Sequence, residues 1–98
     1  MTHILCFSLL QVNEADFHSL YARASQARRA KADAFHRRED QLRCLVGEAL
    51  LRYALGTDGF TLLQGEFGKP YVKERPEVHF NISHSGPWVV LAYGDREV

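Results

Sequence analysis

Between Leu42 and Tyr53 the large apolar residues fall at Leu42, Leu45, Val46, Ala49, Leu50 and Tyr53. These steps of three and four trace one stripe along an α-helix. The spacing predicts an amphipathic helix over "DQLRCLVGEALLRYALG", stopped by Gly56, because glycine readily takes the left-handed turn that ends helices. A chain of 98 residues makes one domain, close to the smallest size that can support its own core. The stripe must therefore be covered by the rest of the chain, and this helix is the natural centre of the fold.

The segments on either side divide by pattern. "THILCFSLLQV" is β-branched and apolar without Gly or Pro, and reads as a first strand. "NEADFHSLYARA" follows with Asn13 as an N-cap and Glu14 and Asp16 in the first turn, where the helix dipole favours acids. Ser25 is placed to cap a second helix, "QARRAKADAFHRRED". Phe35 is its single large apolar residue, so it is expected on the surface with its bases outward. Beyond Gly56 the pattern turns to β. "FTLLQGEFGKPYV" is a strand or hairpin broken by Gly65, Gly68 and Pro70, and "ERPE" is a turn. "VHFNIS" alternates, with Phe80 and Ile82 on one face and His79, Asn81 and Ser83 on the other. "HSGP" turns and "WVVLAYG" returns. The fold class is α+β: a small antiparallel sheet packed on one long helix.

Net charge is zero, yet the charge is uneven. From Arg23 to Arg52 eight bases stand against four acids, an excess of four. A local basic field of this kind attracts phosphates even on a neutral protein. No apolar run approaches the ~20 residues that cross a bilayer. "ILCFSLL" is short and lacks a basic segment before it. A cytoplasmic location is expected, with no membrane partner. Cys6 and Cys44 follow no metal or redox spacing and are expected to be buried free thiols. The five histidines show no ligand spacing either, so no metal site is expected.

The polar knot Ser83-His84-Ser85 invites a hydrolase reading, which strand geometry opposes. Adjacent side chains of a strand point to opposite faces, so His84 faces away from both serines. Anion binding suits these residues better. Hydroxyls, an imidazole and the amides of a glycine-bearing turn all donate to phosphate oxygens. Lys69 follows a glycine that lets backbone approach a ligand closely. Arg28 and Lys31, three apart, share one helix face and can serve one phosphate. A nucleic-acid module is disfavoured by the neutral charge and the lack of an aromatic stacking pattern.

Three stretches resemble the N-terminal half of the Sfp-type 4′-phosphopantetheinyl transferases. "FNISHSGPWVV" is similar to that family's hairpin signature, "GEFGKPYV" to its Gly-Lys-Pro loop, and "FHRREDQLRCLVGEALLR" to its long helix with Arg43, Gly47 and Leu50 in pattern. Their order and spacing agree over about Arg28 to Val98. The resemblance implies one half of a pseudo-two-fold α+β fold, residues 1–98 being an N-terminal subdomain with coenzyme A held between the halves. It implies transfer of the phosphopantetheine arm of coenzyme A to a serine of an acyl or peptidyl carrier protein, releasing adenosine 3′,5′-bisphosphate. By the same resemblance Arg28 and Lys31 hold the 3′-phosphate, Lys69 lies at the adenine end, and Ser83 and His84 contact phosphates. Cys44 stands where relatives can carry a hydroxyl residue, and is a weaker donor.

The family continues beyond the position of Val98 into Gly-x-Asp-x-Glu, whose carboxylates bind Mg²⁺, and later into a Trp-x-x-Lys-Glu motif that supplies another metal ligand and a base. The chain is therefore expected to contribute coenzyme A-binding residues, no catalytic or metal-ligating ones, and to be inactive alone. The C-terminal half is absent from the sequence, so a C-terminal half or self-association is an expected further partner. The competing reading is a non-enzymatic module that binds coenzyme A or adenine nucleotides.

Overall fold

A computed structural model describes residues 1–95. Arg96 to Val98, the approach to the expected carboxylate motif, lie outside the described residues. The elements are β1 (Thr2–Ser8), a 3-10 turn (Leu9–Gln11), α1 (Glu14–Arg23), α2 (Gln26–Asp33), α3 (Arg38–Leu55), β2 (Leu62–Gln64), a second 3-10 turn (Glu66–Gly68), β3 (Pro70–Val72), β4 (His79–Ser85) and β5 (Trp88–Gly94). The class is α+β, with three helices against small antiparallel sheets.

Local chemistry accounts for most element ends. The Asn13 side chain accepts from the Asp16 amide at 2.8 Å, while the Asp16 carboxylate accepts from the Asn13 amide at 3.2 Å. This reciprocal capping box starts α1. The Ser25 hydroxyl accepts from the Arg28 amide at 3.1 Å and starts α2. Gly56 closes α3 in the left-handed conformation. The first strand ends earlier than its composition suggests, because Leu9–Gln11 coil into the 3-10 turn and Leu9 turns inward. The second helix is also shorter than expected and stops at Asp33. Gln41 donates to the Phe35 carbonyl at 2.9 Å, taking up a group that a continuous helix would have paired. Arg38 to Asp40 then belong to α3. The break lets α2 fold back along α3.

The main sheet has the order β1-β5-β4, so the first and last strands of the described chain pair. The register sets Ser85 opposite Trp88, leaving Gly86 and Pro87 as a two-residue turn. Gly86 takes φ 56°, and Pro87, with its φ held negative, excludes a turn needing positive φ at both positions. β2 and β3 form a separate two-stranded sheet.

The inner face of the main sheet packs on α3 in two clusters. Leu42, Leu45, Val46 and Val89 form one with Phe17 of α1 and Ala32 of α2. Leu51, Val72, Phe80 and Leu91 form the other. Gly47 permits the close approach of α3 to β4: a Cβ there would lie 3.3 Å from Ile82 Cγ2. The expected stripe needs correction at its end. Tyr53 is 77% exposed, and Leu51 is buried in its place, because β3 and β4 cover the C-terminal part of α3 from a different side. Cys6 also departs from expectation and is exposed. It alternates on β1 with Phe7 and, like Ile4, faces away from α3.

Candidate functional site

α2, α3, the end of the β2–β3 hairpin and β4 border one groove of about 620 Å³. Arg28 and Lys31 reach it from α2, Arg43 and Cys44 from α3, Lys69 from the hairpin and His84 from β4. Arg28 and Lys31, three apart on α2, present two cations to the same space. Ser83 is not among the lining residues. It pairs with Val90, whereas His84 pairs with the buried Val89, so Ser83 points to the outer face of the sheet. The strand geometry separates the two adjacent residues as alternation requires.

The charge around the groove is more paired than the sequence suggested. Arg23 meets Asp58 at 3.2 Å, Arg38 meets Glu14 at 3.4 Å, and Arg52 meets Glu48 at 3.2 Å. Arg43 donates to Asp40 at 2.9 Å and to the Gly86 carbonyl at 3.3 Å, tying α3 to the hairpin turn. Its Nε is buried without a hydrogen-bond partner among the described residues. Nor do the bases of α2 all point outward. Arg29 folds back onto the carbonyls of Tyr21 and Ala22 at 2.9 and 2.7 Å. Arg28 turns inward, with Nε 3.5 Å from Glu48 Oε2 and Nη1 3.8 Å from Cys44 Sγ. An exposed helix of alanines and charges reads as a solvated face. Only the packing of α2 on α3 makes one of its bases a partner of a buried carboxylate.

The groove can hold an anion with a flat or flexible body attached. Guanidinium, ammonium and imidazole groups converge on it, and Phe35, Phe80 and Ile82 supply apolar wall. Mg²⁺ does not fit the residues here: among the described residues no three His, Cys, Asp or Glu side chains come together. Asp40, the acid that lines the groove, is held by Arg43.

Residues 11–95 match the family described as 4′-phosphopantetheinyl transferase, N-terminal. The chain belongs to the 4′-phosphopantetheinyl transferase family. A 4′-phosphopantetheinyl transferase of Bacillus subtilis is 38% identical over 85 residues, covering 81% of this chain and 38% of the relative. The transferase Sfp of Bacillus subtilis strain 168 is 36% identical over 80 residues, covering 76% and 36% respectively. The transferase gsp of Aneurinibacillus migulanus is 36% identical over 95 residues, covering 88% and 39%. The chain thus spans less than two fifths of the length of these transferases. The family match begins at residue 11, ahead of the sequence motifs, and so takes in α1 as well. In this member of the 4′-phosphopantetheinyl transferase family the signature "FNISHSGPWVV" is the β4–β5 hairpin and the Gly-Lys-Pro stretch joins the second 3-10 turn to β3.

Two residues that matter to the site escaped the reading of the sequence, one on the groove and one behind it. Arg43 stood in the long-helix pattern, but nothing in the pattern said that it borders the groove. Glu48 looked like one more acid on a mixed helix. Its burial, and the company of Arg28, come from residues of α2 that lie far away in sequence.

Proposed function

We propose that this chain recognises coenzyme A and supplies the N-terminal part of a transferase that moves the phosphopantetheine arm to a serine hydroxyl of an acyl or peptidyl carrier protein. The observation that carries the reading is the convergence of Arg28, Lys31, Cys44, Lys69 and His84 on one groove, together with membership of the family. In the reaction the serine oxygen bonds to the phosphorus bearing the pantetheine arm as the hydroxyl proton passes to a base that this reading places outside the described residues. The pyrophosphate bridge breaks, and adenosine 3′,5′-bisphosphate leaves. Arg28 and Lys31 bind the 3′-phosphate and fix the adenosine end, which positions the pyrophosphate for in-line attack. Cys44 lines the groove beside Arg28, its thiol donating to the Arg28 carbonyl at 3.9 Å and its sulfur accepting from Arg28 Nη1. Lys69 borders the adenine, and His84 donates to a phosphate. Ser83, on the outer face, remains able to contact a ligand held between this part and a second one. Mg²⁺ in the complete enzyme would offset charge on the pyrophosphate, and its ligands are assigned to residues other than those described. The cytoplasm, where coenzyme A and carrier proteins meet, is the proposed location. No helix among the described residues is long and apolar enough to cross a membrane.

The test is calorimetric titration of the chain with coenzyme A, followed by incubation with labelled coenzyme A, Mg²⁺ and several carrier proteins. Saturable binding without label transfer is the expected result. Absence of any binding would remove the reading, and turnover by these 98 residues alone would overturn the assignment of the metal ligands elsewhere.

The outer face of the main sheet is the proposed surface for a second α+β part or a second copy. Ile4, Trp88 and Val90 lie on it, with Trp88 48% exposed and Ile4 65% exposed. Large apolar side chains exposed on one sheet face, beside the polar edge formed by Asn81, Ser83 and Ser85, mark an interaction surface. Sedimentation of the chain should show mass rising with concentration, and Trp88→Glu should hold it monomeric. A wild-type chain that stays monomeric throughout, with a sharp high-temperature melt, would mean that the face needs no partner.

A further inference from the structure

The carboxylate of Glu48 lies on α3 with only 4% of the residue exposed. It accepts from the Ser25 amide at 2.9 Å and from the Ser25 hydroxyl at 2.8 Å. Arg52 Nη1 donates to it at 3.2 Å, and Arg28 Nε lies 3.5 Å away. Arg52, one helical turn on, is the partner from α3 itself and also meets Asp58 at 3.2 Å. The other partners, two Ser25 donors and the Arg28 guanidinium, all come from the start of α2, where they perform a different task.

Ser25 is the N-cap of α2. Its hydroxyl donates to Glu48 and at the same time accepts from the Arg28 amide at 3.1 Å. One carboxylate on α3 therefore holds the first residue of α2, relays through a hydroxyl to the Arg28 main chain, and meets the Arg28 side chain. α2 has eight residues, and a helix that short does not hold its position by itself. Its rotation about its own axis decides whether Arg28 and Lys31 face the groove. With Glu48 near Nε and Cys44 at Nη1, the Arg28 guanidinium is fixed through two of its three nitrogens, leaving Nη2 for a ligand.

We infer that Glu48 is a positioning residue: it sets the placement of α2 and of the Arg28 head group, and through them the affinity of the groove for a terminal phosphate monoester. The inference rests on the reading of the groove as a coenzyme A site. Glu48 itself touches no ligand.

The test compares coenzyme A with 3′-dephospho-coenzyme A by calorimetry on the whole chain, with circular dichroism melts alongside. Glu48→Gln keeps the shape and removes the charge. It should weaken coenzyme A about tenfold, the lower end for a charge-assisted hydrogen bond, and change 3′-dephospho-coenzyme A by less than about twofold. Ser25→Ala leaves both charges in place and breaks the relay, so it should lose part of the same preference even if Glu48→Gln does not fold. Equal weakening of both nucleotides by a folded Glu48→Gln variant would reduce Glu48 to a structural role and overturn the inference. So would an intact preference in both variants while Arg28→Ala loses it. Should Arg28→Ala itself keep the preference, the reading of the groove falls, and this inference with it.

Discussion

Arg28→Ala combined with Lys31→Ala should abolish the chain's discrimination between coenzyme A and 3′-dephospho-coenzyme A. The two residues reach the groove from the same face of α2. A hydrogen bond between a cation and a phosphate contributes about 1.5–3 kcal/mol. Lys31 is exposed, so salt and water weaken its share. For the pair, a loss of roughly thirtyfold for coenzyme A, or about 2 kcal/mol, is expected, with 3′-dephospho-coenzyme A almost unchanged. The fold should survive the double change. Glu48 keeps its contacts with Ser25 and Arg52 when Arg28 is removed, and truncating an exposed lysine uncovers nothing. Calorimetric titrations of both ligands at low and moderate salt check the result. Equal affinities of the wild-type chain for the two ligands would mean that the 3′-phosphate is not bound here.

Leu45→Ala should destabilise the protein more than any change on the face of α3 that meets water. Leu45 is 0% exposed and sits in the cluster that joins α1, α2 and β5 to α3. Truncating a buried leucine to alanine costs about 2–5 kcal/mol through lost contacts and the cavity left behind. In a domain of this size each kcal/mol lowers the melting temperature by about 4–8 °C, so a drop of ~15 °C is expected. Tyr53→Ala is the control. Tyr53 belongs to the same stripe in the sequence but is 77% exposed, and its removal should shift the melt by less than about 3 °C, as surface changes do. Thermal melts followed by circular dichroism distinguish the two. Similar shifts for both variants would mean that α3 does not bury the side the structure assigns to it.

That pair of residues shows how far the sequence reaches. Leu45 and Tyr53 belong to one helical stripe, and periodicity alone cannot tell which part of the stripe is covered. The parts that could be read directly are those whose physics is local. The Asn13 and Ser25 caps, the stop at Gly56 and the Gly86-Pro87 turn each depend on residues within one turn of themselves. The opposite facing of Ser83 and His84 follows from the pleat of a single strand. The α+β class follows from the same short-range patterns summed along the chain. Tertiary packing decided the rest. It paired β1 with β5, turned Cys6 outward, and brought Lys69 and His84 to the same groove as α2. It also ended α2 at Asp33 and folded it back, so that Arg28 meets a carboxylate twenty positions away. A pattern of neighbours encodes which face of an element is apolar or charged. Which distant element covers that face depends on how all of them bury their apolar area together, and only the folded chain contains that answer.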